Sequence, residues 1–304
     1  MSRRGFVAAA LLVVGCASAP TAIEKIRLDV AQDEAAKIED LVRRKDALVK
    51  VLRDKETFVA EYKGTPAAED ARNELPDLYA LLGETFVAAI KREKDDKAID
   101  VLRVEGDAIF VRAEQSLQKR MDELKPLVGD DRNDDYARYR AARYNHAHTL
   151  YFHALLFAPG SARRVALCNT AIDEYTEFDL DFHTEEEDAL IYYAYMDAGL
   201  CLKEIGKPDE AIASFEQTIE LRDAWGPRDE TTGVFPIPAN ARDTVDLVCY
   251  AMLQKALVLR GQKKIEKAVE VASDYFKSVP TPFDAASAMA LAKQLAEAQL
   301  AVGK

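Results

Sequence analysis

The chain has 304 residues, 49% hydrophobic and 31% charged, with only 13 glycines and 11 prolines. That composition fits a folded, helix-rich body and excludes a disordered segment or a collagen-like fibre. The net charge is −12, and lysines and arginines alternate with acids through residues 24–125, so there is no basic face of the kind nucleic-acid binding needs.

The first feature in chain order is a leader. In "MSRRGFVAAALLVVGC" the charges of Arg3 and Arg4 precede an apolar stretch, Phe6 to Val14, that is too short to span a bilayer and reads as a segment removed on export. Its end, Val13-Val14-Gly15-Cys16, resembles the lipobox of bacterial lipoproteins, in which small residues precede a cysteine that is acylated and becomes the new first residue. The resemblance implies a signal peptide over 1–15, an acyl chain such as palmitate on Cys16, and a tether over the small residues of 16–22. Each buried CH₂ of such a chain adds about 0.8 kcal/mol of membrane affinity. An ordinary cleavable leader with Cys16 incidental is the alternative. "SRRGFV" is also similar to the twin-arginine export motif, with Ala8 where a basic residue is usual. Ala17 after Cys16 resembles the pattern of lipoproteins sent on to the outer membrane, so the expected address is the bacterial cell envelope, at the outer membrane and facing the periplasm. No later stretch is long and apolar enough to cross a bilayer.

From Ile23 to Tyr62 apolar residues recur at Ile38, Leu41, Leu48, Leu52, Val59 and Tyr62, with Val42 and Val49 beside them and no Gly or Pro before Gly64. These spacings predict one long helix with an apolar stripe. Lys45 and Lys55 interrupt the stripe, which leaves two uses for it: packing against the next helices, or a homo-oligomeric coiled-coil arm through 23–62. "KGTPAAED" (63–70) is a turn and helix restart, Pro76 is expected to open another helix, and "REKDDK" (92–97) is a polar connection. A helix over 97–124 is closed by Pro126 and Gly129, with Asp134 able to cap the next. Helices then come in pairs: 135–157 with 161–177, 186–205 with 208–223, and 241–261 with 264–279. A final helix is expected over 284–301. No strand alternation occurs, so the class is all-α, stacked antiparallel hairpins (131–304) preceded by long helices (23–130).

In "YYAYMDAGLCLKEIGKPDEAIASFEQTIELR" the informative residues are Tyr195, Gly199, Ala211, Phe215 and Thr218. Two antiparallel helices joined by a short turn nest when small residues sit where their axes approach, as Gly199 and Ala211 would, with Tyr195 and Phe215 filling the space beside them. The pattern resembles the tetratricopeptide repeat. Ala256 and Ala268 take the small slots of a second unit that Pro280 ends, although its turn near Gly261 is about two residues longer. "LYALLGETF" (78–86) carries the pattern of a first helix, and the 135–177 pair has only its length and the Pro159-Gly160 turn in favour. The resemblance covers 185–304 well and 75–180 loosely. It implies a concave groove that binds segments of other proteins and has no chemistry of its own.

Cys168, Cys201 and Cys249 lie in predicted helices beside Ala, Leu or Tyr, where cysteine acts as a small hydrophobe. Their odd number also fits one disulfide and a free thiol in an oxidising compartment. His146 and His153 share a helix face and His148 points elsewhere; no metal-binding spacing accompanies them. The acids of "DLDFHTEEED" (179–188) are expected at a helix N-terminus. The loop over 223–242 carries Trp225, Phe235 and Ile237, which either anchor a partner or plug the gap between two hairpins. No nucleophile has a readable base, so no catalytic residue, metal or cofactor is expected. The resulting expectation is a membrane-anchored lipoprotein that acts as an interaction scaffold for other envelope proteins or peptide segments. The alternative is a transporter-associated or small-ligand binding protein with an enclosed pocket near Trp225.

Overall fold

A computed structural model describes residues 19–128, 134–182, 189–227, 229–231, 235 and 242–278, with positions 290, 293, 296 and 297. The leader, Cys16, residues 183–188 of the acidic segment, Ile237 and most of the expected 284–301 helix lie outside the described residues. Among the described residues there are ten α-helices and no strand, and no helix is long and apolar enough to cross a membrane. The chain divides into two compact units, residues 1–139 and 140–304, so the division falls nine residues beyond the expected 130/131 boundary, inside a helix.

Unit 1 contains α1 (Ala19–Ala36), α2 (Leu41–Glu61), α3 (Pro66–Arg92) and α4 (Asp96–Leu124), followed by a 3₁₀ turn (Lys125–Leu127) and the start of α5 (Asp134–Leu155). Helix α1 begins at Ala19, inside the stretch read as a tether. The single helix expected over 23–62 is two, without any Gly or Pro at the break. The Asp40 carboxylate accepts the Arg43 N–H at 2.9 Å and caps α2, while the Arg44 guanidinium holds the Ile38 carbonyl at 2.6 Å. A local cap here outcompetes helix continuation. Thr65 and Asp95 cap α3 and α4 in the same way. Pro76, expected to open a helix, lies inside α3. Leu75, Leu78 and Tyr79 around it are buried, so tertiary packing holds the helix through a residue that cannot donate to its ladder.

The middle of the apolar stripe of α2 is buried within unit 1, while Val42 and Tyr62 stay exposed: Leu48 and Leu52 are fully buried, and Phe58 packs with Leu28 of α1 and Ala68 and Ala71 of α3. The two lysines that interrupt the stripe are interhelical ties. Lys55 reaches Asp29 of α1 at 2.9 Å and Glu74 of α3 at 3.0 Å, and Lys45 reaches Glu105 of α4 at 2.5 Å.

Unit 2 holds the rest of α5, α6 (Ala162–Phe182), α7 (Ala189–Glu204), α8 (Pro208–Ile219), a 3₁₀ segment (Glu220–Trp225), α9 (Arg242–Gly261) and α10 (Ile265–Ser278). From α6 onward each helix packs on its neighbour in sequence, and α9 also packs on α7. Gly206 makes the α7–α8 turn at φ +80°, with the Lys207 N–H returning to the Leu202 carbonyl at 2.9 Å, a Schellman closure. Inside this hairpin Gly199 lies against the Phe215 ring so closely that a Cβ there would fall 2.5 Å from Cε1.

Candidate functional site

The polar residues that the fold gathers in unit 2 centre on Asp197. Helix α5 carries Tyr144 and His148 four residues apart and therefore on one face, with their rings stacked at 5.5 Å. Phe152, four further on, meets His148 edge-on at 4.9 Å. Opposite them α7 presents Asp197 and α6 presents Tyr175. One carboxylate oxygen, Oδ2 of Asp197, accepts the Tyr144 hydroxyl at 2.7 Å and the Tyr175 hydroxyl at 3.2 Å, and lies 2.8 Å from His148 Nδ1. Asp197 is only 6% exposed.

Such a buried acid needs donors, and the phenols are well suited to supply them. Burial, then the nearby Asp197 charge, push both the Tyr144 and Tyr175 hydroxyls well above their ordinary pKa, so both stay protonated donors across physiological pH. Tyr151, further along α5, is raised by the same causes. The arrangement holds an anion under an aromatic wall, and the imidazole of His148 is its partly open edge. It contains no activated nucleophile.

The three histidines of α5 separate as their spacing predicts. His146 Nδ1 pairs with Glu174 of α6 at 2.7 Å, His153 is buried beside Phe157, and His148 points to Asp197. Among the described residues no group of three His, Cys, Asp or Glu side chains is placed to hold a metal ion.

Of the residues picked out in the repeat, Gly199, Ala211, Phe215 and Thr218 come together at the α7–α8 contact, whereas Tyr195, expected to fill the space beside them, is half-buried and bonds to α6 instead. Ala211, Phe215 and Thr218 of α8 are fully buried, with Phe215 against Gly199. The Tyr195 hydroxyl donates to Asp179 of α6 at 2.6 Å. Thr218 Oγ1 lies 3.3 Å from the Tyr192 carbonyl, and Ser214 Oγ donates to the Tyr195 carbonyl at 2.7 Å, so hydroxyls of α8 stitch it to the backbone of α7. Ala256 of α9 and Ala268 of α10 are buried in the next hairpin. In the loop, Trp225 ends the 3₁₀ segment and is buried, meeting Phe235 edge-on at 6.5 Å. The Arg222 guanidinium covers the Phe235 ring at 5.2 Å and pairs with Asp274 of α10 at 2.7 Å. The described part of this loop is thus anchored on unit 2 itself.

Among the described residues unit 1 has clefts of its own. A 420 Å³ cleft has Val49, Ala108 and Ile109 among its walls, with Lys45, Lys50, Arg53 and Arg112 set against Asp46 and Glu105. A shallower one of 250 Å³ lies by Leu41, Val42 and Leu102.

No protein-family model matches this chain, and no curated protein matches its sequence.

The Asp197 centre was not anticipated from the sequence. Two signals pointed to it: an aspartate in the middle of the apolar run "YYAYMDAGLCL", and the four-residue spacing of Tyr144, His148 and Phe152. Which acid, phenol and imidazole meet depends on the packing of three helices, and a helical period does not encode that.

Proposed function

We propose that the protein is a lipid-anchored protein of the bacterial envelope whose unit 2 is a tetratricopeptide-type scaffold for segments of other envelope proteins. The observation that carries this reading is the α7–α8 hairpin: a glycine and an alanine admit Phe215 to the helix contact, as the repeat resemblance requires, and the adjoining hairpins pack on it in series. Stacked hairpins of this type expose the first helix of each pair along a shared face. Here that face carries the partly exposed His148 of α5. The anchor is the acylated Cys16, and the outer membrane is the membrane this reading assigns.

Two experiments test it. A photo-crosslinking residue placed at His148 is expected to capture envelope proteins in cells, and one at the exposed Glu216 of α8 is expected to capture few. Equal capture from both positions sinks the scaffold reading. Labelling with a palmitate analogue is expected to disappear in Cys16→Ser; label that persists removes the anchor.

A further inference from the structure

Helices α6 and α7 run antiparallel, and side chains tie them rung by rung. Arg164 is hydrogen-bonded to Glu204, Tyr175 to Asp197 at 3.2 Å, and Asp179 to Tyr195 at 2.6 Å. Each step along α6 is matched by a step back along α7. Cys168 stands one turn after Arg164, and Cys201 one turn before Glu204, so the register brings the two cysteines together as the rung between the first two of these ties. Both are wholly buried, and their thiols are hydrogen-bonded to each other. Cys249 lies on a different helix, α9, which is joined to α7 by a hydrogen bond between Lys203 and Gln254 at 2.8 Å.

We propose that Cys168 and Cys201 form a disulfide when the chain folds in an oxidising compartment, cross-linking α6 to α7, with Cys249 outside the bond. The proposal rests on the export reading for its occurrence in the cell and on the α6–α7 register for its pairing. The sequence leaves open which two of the three cysteines pair; the register selects one pair.

The chemistry fits a dithiol–disulfide exchange with a small-molecule disulfide such as oxidised glutathione. As the α6–α7 register forms, the hydrogen bond from Cys201 and the neighbouring Arg164 guanidinium favour the Cys168 thiolate, whereas advancing burial disfavours that of Cys201, so Cys168 serves as the attacking sulfur. The Cys168 thiolate attacks one glutathione sulfur, forming a mixed disulfide and expelling a glutathione thiolate. The Cys201 sulfur, losing its proton, then attacks Cys168 and expels the second. Two protein thiols give up two electrons and two protons; one glutathione disulfide takes them up as two glutathione thiols. Because both sulfurs are closed off in the fold, the exchange belongs to the docking of α6 on α7 during folding.

The test uses the wild-type chain, so it does not depend on a variant folding. Leaderless protein is refolded with oxidised and reduced glutathione, its free thiols are alkylated, and its peptides are mapped without reduction. The expected result is one linked peptide pair joining Cys168 to Cys201 with Cys249 alkylated, and a Tm about 7–15 °C lower after reduction, as closure of a loop of about 30 residues implies. Three alkylated cysteines, or a link that includes Cys249, overturns the pairing. The leader-bearing chain, expressed in a bacterium and quenched in acid before mapping, separates the two premises: a bond that forms in glutathione but is absent from these cells overturns export and leaves the pairing standing.

Discussion

In unit 1 the Lys55 ammonium, 1% exposed, sits between Asp29 and Glu74, whose side chains are 38% and 39% exposed; in unit 2 Asp197, 6% exposed, holds its carboxylate beneath two phenols and an imidazole. Unit 1 answers a buried charge with opposite charges that keep contact with water. Unit 2 answers one with donors that include two neutral phenols, in a contact whose partly open edge is His148. In unit 1 Lys45 and Lys55 tie their helices with long side chains, whereas at the contact built on Gly199 and Ala211 the hydroxyls of Ser214 and Thr218 reach the backbone of the facing helix. Unit 2 is therefore expected to depend on shape, and unit 1 on charge.

The strongest way to break that contrast is to remove the ring that fills the close contact. Phe215→Ala deletes a fully buried aromatic and is expected to cost about 3–5 kcal/mol in denaturant unfolding of unit 2. Gly199→Ala places a methyl 2.5 Å from Phe215 Cε1 and is expected to cost about 1–3 kcal/mol by overpacking. In the double variant the methyl occupies part of the vacated space, so the two costs should fall short of additive. Additive costs would show that the ring and the glycine are not in contact.

Charge is the matching lever in unit 1. Lys55→Met keeps most of the side-chain volume and removes one of two cations, leaving Asp29 and Glu74 bridged by Lys25 alone, at 2.8 Å and 2.7 Å. Their water access holds the expected loss to about 1–3 kcal/mol, below that for a fully desolvated pair. Salt should narrow the gap between wild type and variant. The acid limb follows from Asp29. Burial works against its ionisation, but hydrogen bonds from Lys25 and Lys55 outweigh burial and hold its pKa below the ordinary carboxylate value. A carboxyl depressed in the folded state stabilises fully above its unfolded pKa of about 4 and loses that contribution as pH falls through the folded value. Unit 1 should accordingly weaken below about pH 4, and Asp29→Asn should flatten that limb. A limb of unchanged steepness in the Asp29→Asn variant would assign it to other carboxyls.

Tyr175→Phe is the corresponding small change in unit 2. It removes one of three donors to Asp197 Oδ2 and leaves Tyr144 and His148 in place, so the expected cost is about 1 kcal/mol. A loss above about 3 kcal/mol would mean that the remaining donors cannot hold the carboxylate.

Much of the fold was legible because its signals are local. Thr65 and Asp95 are caps, Pro66 opens α3, and Gly199, Ala211 and Phe215 stand at spacings that a hairpin contact requires. Three features were not legible. The break at Asp40 comes from a side chain competing with the helix ladder, and no breaker residue marks it. The helix through Pro76 is held by neighbours that are distant in sequence. The buried roles of Lys45, Lys55 and Asp197 depend on which partner each meets, and a pattern of apolar positions records such residues only as interruptions.

The smallest expected effect tests how the two hairpins of unit 2 turn. The α7–α8 turn places Gly206 in the left-handed region. The α9–α10 turn closes in the same way, with the Lys264 N–H on the Leu259 carbonyl at 2.9 Å, but places Lys263 there at φ 62°. Gly261, which looked like the turn glycine, remains the last residue of α9, and this is why the second hairpin seemed to have a longer turn. A lysine in that conformation carries a steric cost that glycine does not, partly offset by the greater freedom glycine gives the unfolded chain. Lys263→Gly should therefore stabilise unit 2 by about 0.5 kcal/mol and Gly206→Ala should destabilise it by about 1 kcal/mol, both read from denaturant midpoints at an unchanged m value. Opposite signs from the same turn position would show that both hairpins use one closure. A loss in Lys263→Gly would show that the Lys263 side chain contributes more than its backbone strain costs.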